Sequence, residues 1–107
     1  MGSFAGHVDH IVIDDQAQLL RVSGWLVDTS NQPVSLKVGF RESELAEVRW
    51  LERDDISSLF PNCAWAHDAG FEVELAAPEE LPESAQLFFL ATYRHGDTVA
   101  GAFPPSP

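Results

Sequence analysis

Apolar and polar residues alternate along most of this chain. In VSLKVGF, residues 34–40, Val34, Leu36, Val38 and Phe40 fall on one face and Ser35, Lys37 and Gly39 on the other, the period of two that predicts a half-buried strand. FEVEL repeats it, with Phe71, Val73 and Leu75 inward and Glu72 and Glu74 in water. HVDHIVI, residues 7–13, sets Val8, His10 and Val12 against Asp9, Ile11 and Ile13. LLRVSGWLV, residues 19–27, carries Leu20, Val22 and Leu26 on one side and Leu19, Trp25 and Val27 on the other. QLFFLATY, residues 86–93, is apolar on both faces, as an interior strand would be. Turn residues punctuate these runs at TSNQP (29–33), APEELPES (77–84) and HGD (95–97), the last a natural hairpin turn.

Residues 43–53, SELAEVRWLER, fit both a helical and a strand period, and their position between strong strand signals favours a strand. Asp54 or Asp55 then offers an N-cap for a short helix that Pro61 stops. The pattern predicts an all-β protein: an antiparallel, Ig-like β-sandwich of about seven to eight strands with one short helix near residues 55–60. Residues 7–103 form the single domain. Residues 1–6 read as a flexible N-terminus or a cloning remnant, and 104–107 as the start of a linker.

Composition narrows the setting. At 107 residues and 45% hydrophobic content, the chain can bury one core and no second. Seventeen Asp and Glu against six Lys and Arg give a formal charge of -11, a field that repels nucleic acid and anionic lipid. No apolar run reaches the ~20 residues of a membrane span, so direct membrane insertion is not expected. A single cysteine, Cys63, rules out an internal disulfide and favours a reducing, cytoplasmic compartment.

Catalytic constellations are weak. His7 and His10 of HVDH point to opposite faces of a regular strand and cannot close on one metal ion unaided. Ser57 and Ser58 lack a nucleophile elbow. Cys63 follows a helix C-terminus, where the dipole disfavours a thiolate. There is no phosphate-cradling glycine loop, no Cys-x-x-Cys and no His-Glu-x-x-His, although an acid pair for glycoside hydrolysis remains open among so many carboxylates. The expectation is a domain without catalytic residues, metal or cofactor.

One ordered series of landmarks is more specific: VSGWLVD (22–28), VSLKVGF, RDDI (53–56), LFP (59–61), GFEVEL (70–75) and HGD. Across residues 8–99 this series resembles the small β-sandwich accessory module of bacterial glycosyltransferases and related surface-polysaccharide biosynthesis proteins. Gly24 and Trp25 match the module's Gly-Trp, Arg53 with Asp55 and Ile56 its Arg-x-Asp-Val, and Gly70 with Phe71 its Gly-Phe; Asp54 stands where the module has proline. The resemblance implies a non-catalytic appendage that holds acceptor glycan or packs against the catalytic domain of the same polypeptide, in the bacterial cytoplasm near the inner membrane.

In that setting Gly24, Trp25, Arg53, Asp55, Gly70 and Phe71 read as structural, with Arg53 and Asp55 bracing a helix that carries the chain between sheets. A sugar site needs an exposed aromatic face flanked by planar polar groups. Trp65, with Asn62, His67 and Asp68 in the same loop, is the leading candidate; Trp50 with Glu52, and Tyr93 with Arg94 and His95, follow. Core packing is the competing fate of each tryptophan, strongest for Trp25 and weakest for Trp65. Trp65 is therefore expected to be exposed, and its replacement by alanine to weaken glycan binding with little loss of stability. The rival readings are a docking or oligomerisation module, using an exposed apolar patch or sheet edge, and an Ig-like spacer of a surface protein.

Overall fold

The computed structural model describes residues 4–41, 44–76 and 86–103. In chain order its strands are β1 (Phe4–Asp14), β2 (Leu19–Asp28), β3 (Ser35–Arg41), β4 (Glu44–Glu47) and β5 (Arg49–Leu51), then β6 (Gly70–Ala76), β7 (Phe88–Thr92) and β8 (Thr98–Ala102); α1 (Asp54–Leu59) lies between β5 and β6. They form two antiparallel four-stranded sheets, ordered β1-β2-β6-β5 and β4-β3-β7-β8. This is the all-β sandwich with one short helix that the alternation predicts.

The alternating residues meet between the sheets. Leu20, Val22, Leu26, Phe71, Val73 and Leu75 of the first sheet face Leu36, Val38, Phe89 and Ala91 of the second in one core. Phe4, Phe89 and Phe103 interlock there, with centroids 5.2 Å apart for Phe4 and Phe89 and 5.3 Å for Phe89 and Phe103. Phe4 thus anchors the start of β1, three residues ahead of the expected boundary at residue 7. Val34 departs from its strand pattern: it precedes β3 and is 56% exposed.

Residues 44–51 are extended, as expected, but divide between the sheets. β4 pairs with β3 while β5 pairs with β6. Val48 is the hinge, its side chain buried in the core and its N–H donating to the Leu36 carbonyl at 2.9 Å.

The chain therefore changes sheet at Val48, and the Arg53–Asp55 region serves another purpose than the expected crossover. β5 and β6 are neighbours in one sheet, with Trp50 opposite Phe71, so residues 52–69 leave and rejoin that sheet. They fold over its outer face. Val27, which alternation turns away from the main core, is buried there with Ile56, Cys63, Ala66 and Ala69, flanked by Trp25, Phe60 and Trp65. This second core explains why β2 is apolar on both faces.

Candidate functional site

Arg53 holds the overlying segment down through the expected pair with Asp55 and a further one with Asp9. Arg53 donates from Nε and Nη2 to the two carboxylate oxygens of Asp55, at 2.9 and 2.8 Å, and from Nη1 to Asp9 at 2.8 Å. The fork holds the Asp55 carboxyl below the usual carboxylate range. Neither aspartate caps α1: the N-cap is Arg53 with no side-chain cap bond, and Asp54 and Asp55 occupy the first turn, where negative charge meets the positive helix end. Gly70 gives the arginine room, since a Cβ there would lie 2.5 Å from the Arg53 Cγ and 2.9 Å from the Leu51 carbonyl oxygen. Gly24 is required for a similar reason, because its Cβ would overlap the carbonyl oxygen of His7.

Asp9 reaches Arg53 because β1 bulges between Val8 and His10, where Val8 faces Gly24 and His10 faces Ser23. The bulge also overturns the expectation that His7 and His10 take opposite faces. Opposite Trp25 and Ser23, both lie on the outer face. No group of three or more ligand-type side chains gathers around them among the described residues.

Asp28, the last residue of VSGWLVD, ties the layers together. Its side chain is buried and accepts from the Tyr93 hydroxyl at 2.5 Å and the Ser30 amide at 2.8 Å, while its carbonyl accepts from the Trp65 indole N–H at 2.9 Å. Burial first, then the bond to Asp28, pushes the Tyr93 hydroxyl well above its ordinary value. Tyr93 is thus a core residue and leaves the sugar candidates.

Trp65 is half-buried against the second core, correcting the expectation that it stands exposed. Its N–H is directed inward and committed, so what it offers outward is apolar ring surface. That surface lines an open groove of about 570 Å³ shared with Trp50, Leu51, Glu52, Asp68, Gln32 and Val34. The walls come from the β2–β3 loop, the edge strand β5 and the end of the overlying segment.

Of the predicted sugar residues, the groove joins Trp65 and Asp68 and adds Trp50 and Glu52 from the second-ranked pair. Asn62 lines a separate hollow of about 290 Å³ with Thr29, Leu59, Phe60, Pro61 and Cys63. His67 is exposed, with Nδ1 2.9 Å from the Ala64 carbonyl and Nε2 3.1 Å from the Asp68 carboxylate, and it buttresses Asp68 without lining the groove. Gln32 was not among the candidates, because only the fold brings the β2–β3 loop to Trp65.

Among the described residues no helix is long and apolar enough to cross a membrane. Compared with known protein families, curated proteins and solved structures, the chain matches none.

Proposed function

We propose that this domain is a non-catalytic carbohydrate-binding module that assists a glycosyltransferase or related polysaccharide-building enzyme, holding glycan in the groove between Trp50 and Trp65. The observation that carries this reading is the convergence of two indoles with Glu52, Asp68 and Gln32 in one open groove. Indole faces match the C–H face of a pyranose ring, and carboxylates and amides match its hydroxyls. Glu52 is exposed and the Asp68 carboxylate lies 3.1 Å from His67 Nε2, so neither sits in the apolar pocket that a glycosidic general acid requires. Screening the folded domain against a glycan array tests the reading. One glycan class is expected to bind, and Trp50→Leu, which keeps apolar packing but removes the indole face, is expected to lose it; an array without a hit contradicts the proposal.

A second reading, a docking module for a neighbouring domain, draws on the edge strand β1. Ile11, Val12 and Ile13 are 42%, 57% and 55% exposed there. Ile11 and Ile13 lie opposite Val22 and Leu20 on the core-facing side, but the second sheet leaves them uncovered. On this reading Ile13→Lys blocks association with the catalytic domain of the same polypeptide while glycan binding persists. Unchanged association of the Ile13→Lys domain would remove the reading.

A further inference from the structure

The groove's polar groups are unequal in charge, and from this we infer the kind of sugar it selects: a glycan carrying a free amino group, of the hexosamine type, in preference to an N-acetylated or acidic one. The inference rests on the glycan-binding reading above. Among the described residues no lysine or arginine lines the groove. Its side-chain donors are the Gln32 amide and the Trp50 indole, because the Trp65 N–H is spent on the Asp28 carbonyl. Against them stand two carboxylates, Glu52 and Asp68, which when ionised only accept hydrogen bonds. Glu52 makes no ion pair among the described residues, and His67 meets only the Oδ2 atom of Asp68.

A ligand complementary to this surface is rich in donors and positively charged. A sugar ammonium supplies three N–H donors to the carboxylates and a cation for the indole faces, while the ring's apolar side still stacks. N-acetylation removes the charge and adds a carbonyl acceptor that the groove has little to satisfy. A uronate, sulfate or phosphate brings negative charge to two carboxylates within a chain of formal charge -11, and is repelled at both ranges.

The test is calorimetric titration of the full chain at pH 7 and moderate salt with three tetrasaccharides: the β-1,4 tetramer of glucosamine, its fully N-acetylated counterpart, and tetragalacturonate. Tetralysine serves as a cationic control. The amino tetramer is expected to bind on the order of tenfold more tightly than the acetylated one, a gap of one well-placed charge interaction, and the uronate not to bind. Glu52→Gln and the pair Glu52→Gln with Asp68→Asn should shrink that preference in steps; the single variant alters an exposed side chain, so it keeps the test independent of folding. Equal or tighter binding of the acetylated tetramer overturns the amino-sugar inference and leaves the glycan reading standing. A preference unchanged in the variants, or tetralysine binding as tightly as the amino tetramer, also overturns it, as general attraction of cations to an acidic protein. Failure of all three saccharides to bind overturns both readings.

Discussion

Asp28 and Tyr93 show what one buried pair does for this protein. The bond joins the end of β2 to the end of β7, and the Asp28 carbonyl holds Trp65 at the groove. Tyr93→Phe should cost about 1–3 kcal/mol in urea unfolding, since it strips a partner from a buried carboxylate. The chain has one tyrosine, so alkaline titration of tyrosinate absorbance reports Tyr93 alone. Its raised folded-state value means that stability is unaffected below about pH 10, where tyrosine is protonated in both states, and falls as pH rises beyond that, because only the unfolded chain releases the proton. Tyrosinate should therefore appear together with unfolding; its appearance near pH 10 with the fold intact would contradict the pairing. Trp65→Ala should lower stability by about 2 kcal/mol, through lost packing and an orphaned carbonyl, contrary to the sequence-based expectation. The sequence singled out Trp65 because it is an aromatic among loop residues, but the acceptor of its N–H lies 37 positions away and leaves no local trace.

The overlying segment is an element with its own core, latched by Arg53. Its position after β5 was legible from the aspartates, Ile56 and Pro61. Its destination was not, since alternation continues through Val48 and hides the change of sheet. The bulge at Asp9 was hidden in the same way, because HVDHIVI looks regular and only its pairing with β2 shows the shift. Gly70→Ala should destabilise by about 1–3 kcal/mol as the new methyl displaces the Arg53 stem, measured by thermal or urea unfolding. Asp55 has a lowered folded-state value, so its contribution is complete above about pH 4, the ordinary range of aspartate, and is lost as pH falls through the lower folded value. Comparing melting of the native chain and Asp55→Asn should thus show a gap at neutral pH that closes in acid. A gap that persists unchanged to the acid limit would show that the carboxylate's charge is not what latches the segment.

At the scale of the whole molecule, the sandwich was written in the period-two alternation and the acidic character in the composition. The groove was not, because its walls come from Leu26, residues 32–34 and 50–52, Trp65, Asp68 and Ala69, which share no local pattern and meet only once β5 sits beside the overlying segment. Half of the predicted sugar set, Trp65 and Asp68, stands in it; Asn62 turns to another hollow and His67 stays behind Asp68. Glycan binding in the groove is tested most directly by the three indole N–H signals in an NMR titration with amino, N-acetylated and acidic oligosaccharides. Trp25, which packs on Phe60 at 5.9 Å away from the groove, is the internal control. A bound saccharide is expected to move the Trp50 and Trp65 signals together and to leave Trp25 in place. A full panel that moves none of the three, or moves Trp25 alone, would contradict it.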